Sequence, residues 1–202
     1  WYYYDKEGKL LTGRQTIDGV QLYFDKNGKQ VKGSLVDIDG DTYYFDNMAK
    51  TVCLSFEDWN LEDNFKVYTE VISNVDEYIS GEFYKRELPC ILSLLSKIEL
   101  EKINVIIIDG FVFLNDENKF GLGAYLYEKL DKKIPVIGVA KKDFATIEKN
   151  RIELFRGKSK NPLFITSIGI ELKQATQKIK EMNGQYRIPT LLKEVDRLTK
   201  EK

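Results

Sequence analysis

At the centre of the sequence stands Val105-Ile106-Ile107-Ile108-Asp109-Gly110, in which four β-branched apolar residues are followed by a carboxylate and a glycine. Such a run is typical of a strand that is buried on both faces in the middle of a parallel sheet. Open α/β sheets bind ligands and metal ions at the carboxyl ends of their central strands. Asp109 is therefore either a ligand-binding carboxylate at the sheet edge or a cap for the helix that follows.

The composition limits the chemistry that the chain can use. It has 202 residues, with 31 basic and 32 acidic side chains and no histidine. Ser-His and Cys-His catalysis and His-ligated zinc are excluded, so hydrolysis would depend on carboxylates, lysine, tyrosine or a hard metal ion. The nearly balanced charge excludes a strongly basic nucleic-acid coat but permits a local basic groove.

Cysteine usage and hydropathy narrow the class of protein further. Cys53 and Cys90 lie in separate apolar contexts, and we expect buried free thiols rather than a disulfide or a metal site. No apolar run approaches the length of a membrane helix, so we expect no membrane partner. The chain begins at Trp1 rather than methionine, which is typical of a fragment or a processed form.

Residues 1 to about 46 repeat a short unit. Tyr3-Tyr4-Asp5-Lys6-Glu7-Gly8-Lys9 recurs as Tyr23-Phe24-Asp25-Lys26-Asn27-Gly28-Lys29 and, in weaker form, as Tyr44-Phe45-Asp46-Asn47. Each unit has an aromatic strand, an Asp-x-x-Gly turn and a second short strand, so the pattern predicts β-hairpins. A lone hairpin is marginal in water, and we therefore expect the units to stack.

These units resemble the cell-wall-binding repeat family, the glucan- and choline-binding repeats of bacterial surface proteins. The resemblance implies stacked aromatic side chains that hold sugar rings or choline. The matching aromatic positions are Trp1, Tyr3, Tyr4, Tyr23, Phe24, Tyr43 and Tyr44. The alternative is that these aromatic residues only pack against one another. We expect a repeat domain over residues 1–40, with glucan or choline as its hypothetical ligand.

After Met48 the composition changes to that of an α/β domain. Strand patterns at 51–56 and 65–72, with the aromatic segment 41–46 before them, predict a three-stranded antiparallel meander. A core-facing helix at 87–98 and the central strand follow. Later segments predict helices at 121–130, 171–182 and 189–200 and strands at 134–140 and 162–168. This order predicts, over residues 41–202, an α/β domain with a ribonuclease-H-like mixed sheet and flanking helices, preceded by the short β-hairpin repeats.

Such a fold performs phosphodiester chemistry when acidic side chains converge on its central strands, because hard cations need several oxygen ligands. The candidates are Asp109, Asp41 at the head of the first meander strand, and Glu87 at the start of the first helix. Lys141, just beyond the second buried strand, would emerge at the same sheet edge as Asp109 and could polarise a phosphate oxygen. The alternative for Lys141 is a solvated lysine at a strand end.

The sequence also resembles the endonuclease V family over residues 41–198. Six motifs match in order and spacing: Tyr78-Ile79-Ser80-Gly81-Glu82-Phe83-Tyr84-Lys85-Arg86-Glu87, Ile108-Asp109-Gly110, Phe120-Gly121-Leu122-Gly123, Ile137-Gly138-Val139-Ala140-Lys141, Asn161-Pro162-Leu163-Phe164 and Tyr186-Arg187-Ile188-Pro189. The resemblance implies a magnesium-dependent endonuclease that cuts DNA or RNA one bond 3′ of a deaminated base, chiefly inosine. Mn²⁺ is the alternative ion.

The resemblance also implies roles for single residues. Asp41, Glu87 and Asp109 correspond to the metal-site carboxylates, with Asp39 as the alternative to Asp41, and Lys141 corresponds to the active-site lysine. The residues that correspond to those filling the gap left by a flipped base or lining its pocket are Tyr78, Phe83, Gly110 and Gly138.

The remaining expectations concern partners and compartment. The partner would be DNA or RNA that contains inosine, and we expect a monomer. The segment 129–160 holds ten basic and four acidic residues, which is either a solvated face or a path for phosphates. The nuclease and the free thiols favour the cytoplasm, whereas the repeats alone favour a secreted or cell-surface protein. The alternative function is a carbohydrate- or choline-binding module fused to a catalytically impaired, ribonuclease-H-like nucleic-acid binder.

Overall fold

The computed structural model describes residues 2–17, 20–31, 34–38, 41–45, 49–73, 75, 84–143 and 145–201. The chain divides into two compact units. The hairpin unit comprises Trp1–Ala49 and Ile72–Glu77, and the α/β unit comprises Lys50–Val71 and Tyr78–Lys202. None of the described helices is long and apolar enough to cross a membrane.

The hairpin unit contains five short strands, β1 (Gly13–Ile17), β2 (Val20–Phe24), β3 (Gln30–Val31), β4 (Ser34–Ile38) and β5 (Asp41–Phe45). The first three form an antiparallel sheet in the order β1-β2-β3, and β4 pairs with β5 in a separate antiparallel hairpin. The hairpins predicted from the repeats are therefore confirmed. The domain boundary predicted between residues 40 and 41 lies just before β5.

The two complete repeats share one turn geometry. The Asp5 side chain accepts hydrogen bonds from the backbone N–H groups two and four residues further on, and the Asp25 side chain accepts the equivalent pair. Gly8 and Gly28 close these turns at φ values of 80° and 73°, which glycine adopts without steric cost. The sequence repeat is therefore a structural repeat.

The aromatic residues of the repeats divide into packed and exposed side chains. The Phe24 ring is fully buried, and its centroid lies 5.6 Å from that of Tyr3. Tyr2 and Tyr4 are exposed by 56% and 62%. Some aromatic residues thus stabilise the hairpins, while others present their rings to solvent.

After β5, the described residues form a 3₁₀-helix (Leu100–Lys102) and ten strands and α-helices, which belong to the α/β unit except for the end residues Ala49 and Ile72. These are β6 (Ala49–Ser55), β7 (Lys66–Ile72), α1 (Tyr84–Leu95), β8 (Ile106–Asp109), α2 (Leu122–Lys129), β9 (Val136–Ala140), β10 (Ile152–Leu154), β11 (Leu163–Ile168), α3 (Leu172–Glu181) and α4 (Thr190–Lys200). Four strands form a sheet in the order β10-β11-β9-β8, in which β8 and β9 are parallel while β11 is antiparallel to β9 and β10. β6 and β7 form a second, two-stranded sheet.

Helices cover both faces of the four-stranded sheet. On one face, α1 and α2 pack through Leu88 and Leu126 against Ile108. On the other face, α3 packs through Ile179 against Ile137. The predicted mixed α/β architecture with flanking helices is confirmed. Both cysteines are free thiols, as expected, with Cys90 buried and Cys53 half-buried.

The predicted meander of three strands is wrong. Within the described residues β6 pairs with β7, whereas β5 pairs with β4. The sequence between β4 and β5 is Asp39-Gly40, a two-residue turn signal that favours pairing of its own flanking strands over pairing with a later one. β10 was not predicted, because three residues are too few for an alternating pattern to be recognised.

Both β6 and β8 have side chains in contact with the two helical layers. Leu54 of β6 and Ile107 of β8 pack on the cluster of α3 and α4. Ile106 and Ile108 of β8 face α1 and α2. Thr51 of β6 is hydrogen-bonded to the thiol of Cys90 in α1, and burial raises the pKa of that thiol. Within the described residues, however, β8 is paired on one side only, with β9. Among the described strands, β8 is therefore an edge strand of its sheet.

Candidate functional site

The parallel pair β8–β9 brings two predicted site residues together. Asp109 ends β8 opposite Val139 of β9, and Lys141 follows the end of β9 directly. Both side chains leave the sheet at its carboxyl edge, where Lys141 Nζ lies 2.9 Å from Asp109 Oδ2. The prediction that Lys141 emerges at the same edge as Asp109 is confirmed.

A third residue completes this arrangement from α4. Asp196 Oδ2 lies 2.6 Å from the same Lys141 Nζ. We call Asp109, Lys141 and Asp196 the carboxylate–lysine cluster. The side chain of Asp109 is 62% exposed, that of Asp196 34% and that of Lys141 27%, so solvent and a ligand can reach the cluster.

The electrostatics of the cluster keep the lysine charged. Burial alone would lower the pKa of Lys141, but its hydrogen bonds to Asp196 and Asp109 and their negative charges outweigh burial and raise the pKa above its usual value. An ammonium group held between two carboxylates, with its remaining proton free to donate, suits the stabilisation of an anionic oxygen.

Two alternative interpretations of these residues are excluded by the geometry. Asp109 does not cap the following helix, because α2 begins at Leu122 and its N-cap is Gly121. Lys141 is not a solvated lysine at a strand end, because it is paired with two acids and mostly buried.

Asp196 was missed by the sequence analysis, although a signal for it exists. Its position in α4 is four residues after Leu192, which packs on the hydrophobic core, and five after the buried Leu191. The carboxylate therefore lies at the border of the apolar stripe of an amphipathic helix, where an acid that is partly withdrawn from water costs free energy unless it is paired.

A basic groove of about 460 Å³ adjoins the cluster at Lys141. Its lining residues are Lys141, Lys142, Asp143, Asn161, Pro162, Phe164 and Arg187. The Arg187 guanidinium donates hydrogen bonds to the carbonyl oxygens of Pro162, at 2.7 Å and 3.2 Å, and of Lys141. Arg187 thus ties the end of β9 to the start of β11, and it was not singled out from the sequence except as part of a motif.

Glu87 lies in the first turn of α1 and is half-buried. Burial raises the pKa of its carboxyl group, and the neighbouring Arg86 guanidinium opposes this effect. The predicted position of Glu87 at the start of a helix is confirmed, whereas its role as a metal ligand stays a prediction.

Gly138, in the middle of the central strand β9, lies against the backbone of Gly110. A Cβ atom on Gly138 would come within 2.6 Å of both the Gly110 carbonyl oxygen and the Thr166 hydroxyl group. The Thr166 hydroxyl also accepts a hydrogen bond from the Val112 N–H at 2.9 Å. Gly138 is therefore required by backbone packing, and its predicted contact with a base stays a prediction, as does that of Gly110.

Several predicted site residues lie outside the part of the chain that the structure describes. These are Tyr78, Phe83 and Asp39, and for Asp41 only the backbone, in β5 of the hairpin unit, is described. Their roles stay predictions.

Two carboxylates of the described residues meet at one point. The Asp109 and Asp196 oxygens approach one point, the Lys141 amine, within 3 Å. Across the described residues, no three acidic, histidine or cysteine side chains gather closely enough to hold a metal ion. Hard divalent cations accept such carboxylate oxygens but need further donors, among which water is common.

The hairpin unit matches known repeats in sequence. The choline-binding repeat family matches residues 11–49. A segment of 45 residues is 51% identical to glucosyltransferase-S of Streptococcus mutans and covers 22% of this chain. A segment of 47 residues is 53% identical to glucosyltransferase-I of Streptococcus downei and covers 23% of this chain. The chain spans only 3% of the length of either protein.

Solved structures of endonuclease V resemble the fold of this chain. Human ENDOV is 22% identical with a TM-score of 0.56, over 75% of this chain and 82% of that one. The Bacillus subtilis enzyme is 19% identical with a TM-score of 0.56, over 83% and 76%. Ciona intestinalis endonuclease V, in complex with DNA containing an inosine followed by a ribo-adenosine, is 18% identical with a TM-score of 0.55, over 82% and 89%. Over most of its length, the chain therefore has the fold of the endonuclease V structures.

Proposed function

We propose that the α/β unit is a metal-dependent endonuclease that hydrolyses a phosphodiester bond 3′ to inosine in DNA or RNA. The observation that carries the proposal is the carboxylate–lysine cluster, which stands at the carboxyl edge of β8 and β9 beside a basic groove. The likeness of the fold to endonuclease V structures, one of them with inosine-containing DNA, supports the choice of substrate.

The cluster contains the groups that this reaction requires. Hydrolysis places negative charge on the phosphoryl oxygens, and Lys141 can donate a hydrogen bond to one of them. Asp109, the most exposed member, can accept a hydrogen bond from the attacking water and orient it. Lys142 and Arg187 place further positive charge along the groove. This charge suits the phosphates of a nucleic-acid strand that binds there.

Magnesium is part of the proposal, with manganese as the alternative ion. Asp109 and Asp196 would hold it, and Glu87 and Asp41 are the further ligands predicted from sequence. When bound, such an ion polarises a phosphoryl oxygen and lowers the pKa of a coordinated water.

The test is cleavage of an end-labelled oligonucleotide with one inosine, compared with the same sequence carrying guanosine. We expect a cut one bond 3′ of inosine, and only in the presence of Mg²⁺ or Mn²⁺. Asp109→Asn and Lys141→Met should each lower the rate by about 100-fold or more, because each removes a charged group at the reacting phosphate. Lys133→Met, at an exposed lysine that is not part of the groove lining, is the matched lysine control. Equal cleavage of both oligonucleotides, or full activity of Asp109→Asn, would contradict the proposal.

Deoxyribose and ribose versions of the oligonucleotide distinguish DNA from RNA as the preferred substrate. We propose that the enzyme acts in the cytoplasm, since both thiols are free. We also propose that it acts as a monomer. We also propose a division into a repeat domain, residues 1–40, and a nuclease domain, residues 41–202.

A second candidate function is favoured by the repeats. The match of residues 11–49 to choline-binding repeats and the exposed rings of Tyr2 and Tyr4 suit a glucan or choline ligand. Retention of the chain on dextran or choline resin, lost in the double variant Tyr4→Ala and Tyr23→Ala, would support it. Absence of retention would contradict it. Binding of the inosine oligonucleotide without any cutting would instead identify a catalytically impaired binder.

A further inference from the structure

Arg156 is a buried arginine that lies away from the reacting groups. Its side chain follows β10, and the residue is only 7% exposed. Its guanidinium donates hydrogen bonds at 3.1 Å to the carbonyl oxygens of Tyr186 and Gly184, and a further one to that of Met182. A longer hydrogen bond of 3.5 Å reaches the Arg187 carbonyl oxygen. One side chain thus donates to four backbone acceptors in a single loop, residues 182–187, which we call the clasp loop.

The clasp loop leads to the carboxylate–lysine cluster in two ways. Arg187, at its end, donates hydrogen bonds to the backbone oxygens of Lys141 and Pro162. Helix α4 begins three residues later at Thr190 and carries Asp196. Two of the three members of the cluster are therefore attached to elements that the clasp loop positions.

The clasp loop is tightly constrained by its surroundings. The Thr190 hydroxyl group donates a hydrogen bond to Asn183 Oδ1 at 2.7 Å, and the Thr190 backbone N–H donates one to the Asn183 carbonyl oxygen at 2.9 Å. A Cβ atom on Gly157, the residue after Arg156, would come within 2.4 Å of the Gln185 oxygen. The loop therefore has little room to adopt a second arrangement while Arg156 is in place.

We propose that Arg156 is a positioning residue for the carboxylate–lysine cluster. By holding the clasp loop, it fixes the Lys141 backbone through Arg187 and fixes Asp196 through the start of α4. Arg156 itself does not contact substrate, because it is buried and is not part of the groove lining. This inference rests on the proposed function only where activity is the measured quantity.

Arg156→Lys tests the role in catalysis. Lysine keeps the charge but lacks the planar fork that reaches several carbonyl oxygens at once. Because small displacements of reacting groups reduce turnover steeply, we expect kcat to fall by about 10- to 100-fold while KM for the inosine oligonucleotide stays unchanged. In Arg156→Ala, added ethylguanidine should restore turnover and ethylamine should not. A rise in KM with normal kcat, or equal rescue by ethylguanidine and ethylamine, would overturn the proposal.

Hydrogen exchange tests the same coupling without any cleavage. In Arg156→Lys, we expect faster amide exchange in peptides covering the clasp loop and also in those covering residues 140–143, with α2 unchanged. Arg14→Lys is the matched control, since Arg14 lies exposed on β1 of the hairpin unit, outside the peptides that are compared. Faster exchange in the clasp loop alone would show that Arg156 only stabilises the fold, and would overturn the proposal.

A further variant covers the case in which Arg156→Lys loosens the whole unit. The Arg187 side chain is half-exposed, and Arg187→Lys removes only the planar guanidinium that bridges the carbonyl oxygens of Lys141 and Pro162. We expect it to speed exchange at residues 140–143 while α2 stays protected, and unchanged exchange there would refute the link. If the wild-type protein fails to cut inosine substrates, the proposed function is wrong, whereas the exchange results still decide the positioning role.

Discussion

Glu87 has a carboxyl group that is partly withdrawn from water at the start of α1. Burial raises its pKa, and the charge of Arg86 only partly offsets this. Such a group costs folding free energy when it is ionised, and acids of this kind are enriched at functional sites. The energetic penalty of an ionised Glu87 is open to direct measurement.

We predict that Glu87→Gln raises the melting temperature at neutral pH. A carboxyl group with a raised pKa in the folded state binds protons more strongly there than in the unfolded chain. Its stabilising contribution is complete below the usual glutamate pKa and is lost as pH rises through the raised value. Glutamine mimics the neutral form at every pH, so the gain over wild type should vanish in acid. Thermal melts across this pH range measure the difference.

Glu128→Gln supplies the control for this prediction, since Glu128 lies on the exposed face of α2 and pairs with Lys132. It should show no comparable gain at neutral pH. A Glu87→Gln variant that melts at the wild-type temperature at every pH would contradict the assignment of Glu87 as a partly desolvated acid.

Sequence reasoning reached two members of the cluster and missed the third for a physical reason. Asp109 and Lys141 follow directly after apolar β-branched runs, and parallel neighbours end at one edge, so local pattern and strand geometry are sufficient. Asp196 reaches the cluster because α4 packs through Leu191 and Leu192 on the hydrophobic core and begins just after the clasp loop. The periodic pattern of α4 reveals its apolar face but not this placement.

At the scale of elements, the open edge of β8 is the feature with a measurable consequence. Ile106 and Gly110 donate their backbone N–H groups toward β9, to the oxygens of Pro135 and Val139. Because a strand alternates its hydrogen-bonding direction, the N–H groups of Ile107 and Asp109 point to the opposite edge. Among the described strands, none is paired with that edge.

We therefore predict alternating amide protection along β8. The amides of Ile107 and Asp109 should exchange at least about 100-fold faster than those of Ile106 and Ile108, since only the latter pair is bonded within the sheet. Residue-resolved hydrogen exchange by NMR measures this difference. The central strand β9, which is buried throughout, is the control and should show uniform protection. Uniform protection of β8 would mean that a further strand pairs with it in solution.

The elements themselves were largely predictable, whereas their pairing was only partly so. Long apolar or amphipathic segments such as those of α3, α4 and β9 carry strong periodic signals, and each lies within two residues of its predicted bounds. The predicted pairing of β5 was wrong because its aromatic pattern suits pairing with either neighbouring strand, and the Asp39-Gly40 turn favours β4. Which strand pairs with which depends on the strands available, and the residue pattern of one strand does not identify its partner.

For the molecule as a whole, a net charge of −1 opposes nonspecific binding to a polyanion. Binding of nucleic acid must then depend on where the positive charges stand. Within the basic segment 129–160, Lys132, Lys133 and Arg151 are paired with acids, while Lys142 lines the groove beside the cluster. The groove therefore concentrates positive charge on a protein that is otherwise close to neutral.

We predict that binding of the inosine oligonucleotide weakens steeply with salt and that Lys142→Gln reduces this dependence. Each phosphate neutralised by a basic side chain contributes about 0.7 to 0.9 to the slope of log affinity against log salt, because one counterion is released. Removing one contact should lower the slope by about one and weaken binding similarly for every base sequence. Fluorescence anisotropy without divalent ions, so that the strand stays intact, measures both quantities. Lys180→Gln, on the exposed side of α3, keeps the same net charge as Lys142→Gln and should leave the slope unchanged. If both variants change the slope equally, overall charge controls the affinity and the groove does not guide the strand.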